Sequence, residues 1–278
     1  MNQQTAKWDL FKLEQEATTS QEALGRLISI VKILREECPW DREQTHESLR
    51  SCLLEEAYEV VDAINHKDDD NLEEELGDVL LQVVLHGILG EERNKFDFTT
   101  IANLECEKMI RRHPHVFLKE KVDSIDKALE KWENVKRKER EDTTHTHRLQ
   151  AVPSALPALI RSYKLQARAA EAGFDWAEVS GAFQKLEEEL SELREATEGK
   201  DPGHMAEELG DLIFSAVNVA RFLGVNPEEA LNATSEKFVR RFSEVEQGAK
   251  AIGKRLEDMS LEEMDVLWEQ AKNSGNIK

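Results

Sequence analysis

The sequence predicts an all-α protein built from two similar modules in tandem, each a set of helical hairpins packing into a four-helix-bundle core. Three observations predict it. Charged residues make up 34% of the 278 positions and hydrophobic residues 40%, with only 13 Gly and 6 Pro. That balance suits long amphipathic helices and lacks the frequent turn signals of a β-sandwich. Apolar residues fall at helical spacing at Leu53, Ala57, Val60, Val61 and Ile64, and again at Leu186, Leu190 and Leu193. Finally, one ordered set of short motifs occurs twice along the chain.

The N-terminal stretch MNQQTAKWDLFKLEQ carries no apolar signal-type segment. No apolar run reaches the roughly 18 residues a membrane span needs. Cys38, Cys52 and Cys106 are odd in number and lack metal-ligand spacing, as expected of reduced thiols in a soluble, cytoplasmic protein. The net charge of −20 argues against nucleic acid as a partner, because phosphate backbones need a basic footprint. It leaves room for a small phosphorylated ligand, since bound cations invert the local field.

Residues 1–140 form the first module. Within it, Asn65 to Asn71 breaks one hairpin and Pro114, between His113 and His115, marks a further helix boundary. Both histidines suit capping or packing near that helix end. Cys38 and Trp40 flank Pro39 in a structural corner, with contact to a base as the alternative, and Phe174-Asp175-Trp176 is its counterpart in the second copy. The polar stretch Lys136 to Leu149, followed by Pro153 and Pro157, leads into a linker over residues 141–152. The second module spans 153–278, with breaks at Gly199–Gly203 and Pro227.

The duplicated motifs are acidic first. Glu56 and Glu59 in the first copy answer Glu189 and Glu192 in the second, and sixteen residues beyond each come Glu75/Asp78 and Glu208/Asp211. Residues three apart sit about 60° apart around a helix, so each pair projects from nearly one face. That face borders the apolar stripe, whereas Glu55 falls on the far side. Asp78 and Asp211 each precede a strongly apolar run and should therefore be partly buried, which favours a cation beside them. Four carboxylates converging across a hairpin without His or Cys form an all-oxygen site, suited to Mg²⁺ or Mn²⁺ rather than Zn²⁺. An isolated Glu-x-x-Glu in so acidic a chain would be a solvated face; the fixed separation and the repetition favour metal ligands.

The pattern Glu-x-x-Glu, spacer, Glu-x-x-Asp resembles the MazG family of all-α nucleoside triphosphate pyrophosphohydrolases. The likeness extends to Cys38–His46, Arg111–Phe117 and Lys237–Phe242. It implies hydrolysis of ribo- or deoxyribonucleoside triphosphates to monophosphate and pyrophosphate, with water attacking the α-phosphorus and little selectivity for the base. The resemblance gives Lys237 and Arg241 the phosphates, Trp268 a base and Lys272 a further phosphate, with Lys108, Arg112, Trp132 and Lys136 as first-copy equivalents. It leaves open whether one of the ligand glutamates or the neighbouring Glu188 orients the water as general base. It also implies a homodimer, which the large apolar surface of each hairpin supports.

The copies differ at two aligned positions. Leu85 and Ile88 of the first stand where the second has Asn218 and Arg221, three apart in an apolar helix. A nucleotide's sugar or phosphate would satisfy those polar groups, and so would a hydrogen bond between helices. The difference assigns most of the hydrolysis to the second module. A non-catalytic nucleotide-sensing helical regulator, or a narrower dUTP or phosphoribosyl-ATP pyrophosphohydrolase, would be the alternatives.

Overall fold

In the computed structural model, residues 8, 13–117, 124–125, 127–128, 131–132, 135 and 144–274 are described. Every regular element among them is helical, including one 3-10 turn at Leu256–Asp258. The chain divides into two compact units, Met1–Lys138 and Glu139–Lys278.

The first unit opens with α1 (Ser20–Glu37), whose first turn is capped by the Thr19 side chain accepting from the Glu22 N–H. A short α2 (Pro39–Glu43) begins on proline, where the missing N–H costs nothing. The long hairpin is α3 (Arg50–His66) against α4 (Asp69–Glu92), followed by α5 (Phe98–Arg112) and α6 (Pro114–Phe117). Helices α1 and α5 both pack on α4, burying Val31, Leu49, Val84, Leu85, Ile88 and Leu89 as one core. Arg35 stitches this arrangement together: its guanidinium bonds Glu92 at 2.6 and 2.9 Å and also donates to the Asp41 and Gln44 carbonyls. His113 ends α5 by pairing its ring with the Met109 carbonyl at 2.7 Å, the capping role the sequence favours.

The second unit contains α7 (His145–Gln150), α8 (Ala158–Glu171), α9 (Val179–Gly199), α10 (Pro202–Phe222), α11 (Pro227–Ala251) and α12 (Leu261–Ser274). Part of the expected linker over 141–152 is structured. Thr144 caps α7, which packs on α8, and Val152 is buried. The polar residues that read as linker are the solvated face of a short helix. The core here is built largely of small side chains, Ala182, Ala196, Val217, Val219, Val245, Ala249 and Ala271.

Both hairpin turns are tighter than the sequence breaks imply. Lys67 and Lys200 each adopt a left-handed conformation, with φ of 57° and 56°. Asp68 and Asp201 then cap the following helices, accepting from Asn71 N and from Gly203 N and His204 N. Two residues suffice where seven and five read as irregular, because Asp69 and Asp70 are favourable within a helix's first turn. The outer hairpin faces stay apolar and open: Leu54, Tyr58, Val61 and Ile64 on α3 are exposed, as are Leu190 on α9 and Leu209, Ile213 and Phe214 on α10. No helix among the described residues is long and apolar enough to cross a membrane.

Candidate metal centre and its surroundings

Each hairpin brings three carboxylates together. Ligand atoms of Glu56, Glu75 and Asp78 lie within 4.8 Å of one another, and so do those of Glu189, Glu208 and Asp211. Two come from one arm of each hairpin and one from the other, which is what spacing of three residues on facing helices produces. All donors are oxygens, so the residues present fit a hard divalent cation. Glu59 and Glu192, one turn on from the first ligand, stand beside these triads rather than within them. Burial differs from expectation at one position. Asp78 is half-buried, but Asp211 is exposed, because the apolar run that follows it packs on only one side.

The electrostatics of the two clusters differ. In the first, like charges face one another: burial, then Asp78 and Glu59, push the Glu56 carboxyl above its usual range, and burial with Glu59 does the same to Glu75. In the second, basic side chains intervene. Lys185 pairs with Glu188 at 2.6 Å and with Glu189 at 2.7 Å, and His204 lies 3.0 Å from Glu208. Glu189 is only 5% exposed, so Lys185 offsets a charge that water scarcely reaches. The same pairing holds the Lys185 ammonium protonated well above its ordinary range. Glu192 is raised by burial first and by Glu189 next. Lys185 and His204 were not singled out by the sequence reading. The signal was present in their positions four residues before Glu189 and Glu208, where the first copy has Cys52 and Asn71.

Asn218 and Arg221 sit half-buried on α10 and satisfy one another. The Arg221 Nε donates to Asn218 Oδ1 at 2.8 Å, and its NH2 group donates to Asp175 Oδ1 at 2.6 Å. Of the two partners considered for these groups, the internal hydrogen bond is therefore present, with Asp175 as the member that sequence alone did not supply. At the matching first-unit positions Leu85 and Ile88 belong to the buried core.

The cationic and aromatic residues form a second grouping. Arg241 lies 6.0 Å from the Trp268 ring centroid, and Phe238 packs against Trp268 at 5.3 Å. Thus α11 and α12 unite Arg241 with Trp268, while Lys237 is exposed and Lys272 pairs with Glu269 at 2.7 Å. None of the contacts among the described residues joins this grouping to the carboxylates within the unit. In the first unit Lys108 pairs with Glu105, and Arg112 is half-buried at the end of α5. Trp132 is half-buried, and Lys136 lies outside the described residues.

Two segments, residues 44–117 and 178–246, match the model of the MazG nucleotide pyrophosphohydrolase domain. They contain one carboxylate cluster each. The chain belongs to the MazG family. It is 45% identical over 248 residues to the nucleoside triphosphate pyrophosphohydrolase/pyrophosphatase MazG of Thermotoga maritima, covering 88% of this chain and 94% of that protein. It is 41% identical over 254 residues to the nucleoside triphosphate pyrophosphohydrolase of Escherichia coli K12, covering 90% and 97% respectively. It is also 47% identical over 249 residues to the uncharacterized protein YabN of Bacillus subtilis, covering 88% of this chain and 51% of that longer one. Both MazG modules keep the acidic hairpin, and only the second pairs it with Lys185, His204, Asn218 and Arg221.

Proposed function

We propose that the chain hydrolyses ribo- and deoxyribonucleoside triphosphates to monophosphate and pyrophosphate, chiefly in its second module, with broad tolerance of the base and Mg²⁺ as cofactor. One observation carries this reading: Glu189, Glu208 and Asp211 converge within 4.8 Å across a hairpin lying inside a matched family segment. These three would hold the ion, which Mn²⁺ could replace. A divalent cation there neutralises triphosphate charge and lowers the pKa of a bound water.

The protein's own groups supply the rest. Glu192, held above the ordinary carboxylate range by burial and by Glu189, is suited to take the proton of the attacking water. Glu188 is less free to do so, because Lys185 engages it. Lys237, Arg241 and Lys272 would grip the β- and γ-phosphates, Arg241 through its planar fork, and Trp268 backs that guanidinium. Their separation from the carboxylates within one unit fits a site completed by a second chain. The open apolar faces of both hairpins supply the surface for such a homodimer. The free cysteines fit a cytoplasmic enzyme, and clearing unwanted nucleotides is its proposed role.

The test is pyrophosphate release from an NTP and dNTP panel, with Mg²⁺ or EDTA, for wild type and two paired variants. Glu189→Ala/Glu192→Ala should lose at least about 100-fold, the upper range for supporting groups at metal sites. Glu56→Ala/Glu59→Ala should retain most turnover. The opposite ranking sinks the assignment to the second module, and undiminished release in EDTA sinks the metal.

A further inference from the structure

The structure assigns a nucleoside subsite to the cavity of about 320 Å³ enclosed by α8, α10 and the Phe174–Trp176 segment of the second unit, an inference that rests on the proposed triphosphate chemistry and goes beyond it. Ligand pockets are typically about 300–1,000 Å³, mostly apolar, with a few placed polar groups. This one has Leu165, Ala169, Phe174, Trp176 and Phe214 for its apolar wall and Asn218, Arg221 and Asp175 for its polar edge.

Position ties the cavity to the carboxylates. Asp211, Phe214, Asn218 and Arg221 follow at intervals of three, four and three residues along α10, so they form one stripe. At 1.5 Å per residue, Asn218 lies about 10 Å beyond Asp211. A ribose bearing a base covers that length, so a nucleotide whose α-phosphate meets Asp211 lays its base between Phe174 and the Asn218 edge. Phe174 is 84% exposed, an aromatic ring at the cavity mouth with little protein packed on it. Stacking on a base gives such a ring a partner.

A second observation points the same way. Gln166 lines the cavity and is only 7% exposed. Its Nε2 donates to the Phe214 carbonyl at 2.8 Å, which fixes the amide's orientation, and its Oε1 is buried without a donor. A buried acceptor of this kind is costly until something donates to it. Every natural base carries at least one N–H on its pairing edge, so the acceptor demands a donor without selecting one base. In the first unit Leu85 and Ile88, facing into the core, stand where Asn218 and Arg221 form the polar edge, so this subsite has no counterpart there.

Two variants of the full chain test the assignment. Phe174→Ala removes an exposed ring and should leave folding intact. Asn218→Leu/Arg221→Ile copies the first module's residues. Each should raise KM for every NTP by about 10-fold, the loss of one stacked or paired base. The affinity for inorganic triphosphate, measured by calorimetry with Mg²⁺, should stay within about twofold. Unchanged KM in Phe174→Ala overturns the subsite, as does equal weakening of NTP and inorganic triphosphate in both variants. Should the wild type hydrolyse no NTP, the proposed function fails. The subsite then stands or falls on whether adenosine or thymidine quenches tryptophan fluorescence in wild type and not in Phe174→Ala.

Discussion

Lys185 shows how much one side chain separates two otherwise matching clusters. It offsets Glu189, nearly cut off from water, and steadies Glu188; a bound cation would have to share or displace that pairing. Lys185→Met should therefore lower the melting temperature of the metal-free protein and enlarge the rise produced by Mn²⁺, both read by calorimetry. An equal Mn²⁺ response in variant and wild type would mean that Lys185 does not compensate the site. The acids themselves predict a pH effect. Glu56, Glu75 and Glu192 all sit above the ordinary carboxylate range. Their contribution to the metal-free fold is fully present at pH below the unfolded value and is lost as pH rises through the folded one. Cation binding runs the other way, since it needs the deprotonated form. Mn²⁺ affinity should thus climb as pH increases from just below to just above the carboxylate range. A flat affinity across that window would exclude Glu56 and Glu75 as ligands.

At the scale of elements, the hairpins set the site. Their two-residue turns fix the register that lets Glu208 and Asp211 face Glu189, so the caps matter. Asp201→Ala removes the acceptor of two N–H groups at the start of α10 and should cost about 1 kcal/mol of stability, measured by urea denaturation. No change in the midpoint would show that the turn is held otherwise. Gly181 on α9 makes a different demand: a Cβ there would meet the Trp176 ring at 2.5 Å. Gly181→Ala should push Trp176 aside and raise KM for NTPs while leaving cation affinity alone. Much of this was legible in sequence. The carboxylates announce themselves because helical spacing, a fixed separation and repetition all agree at Glu56, Glu75 and Asp78 and again at Glu189, Glu208 and Asp211; Glu59 and Glu192 share that spacing but stand beside the triads. Asp175 did not, since 46 residues separate it from Arg221 and no local period links them. Asp211 is exposed although an apolar run follows it, because composition does not say which side of a helix its neighbours cover. The helix at His145–Gln150 was hidden because its polar face reads as linker.

For the whole molecule, the open faces of α3, α4, α9 and α10 place exposed apolar side chains on the same hairpins that carry the acids. Sedimentation equilibrium should give a mass of two chains. Replacing Leu209 and Ile213 by Asp should yield monomers that keep their helical content and lose turnover, because Lys237 and Arg241 then have no neighbouring cluster to serve. Monomers with full activity would place the complete site in one chain. The first unit's packed core has a consequence for counting. Leu85 and Ile88 are buried beside a carboxylate triad as well formed as that of the second unit. If both triads take a cation and only the second unit takes a nucleoside, as proposed, titrations of the two ligands should saturate at unequal stoichiometries, two cations to one nucleoside per polypeptide.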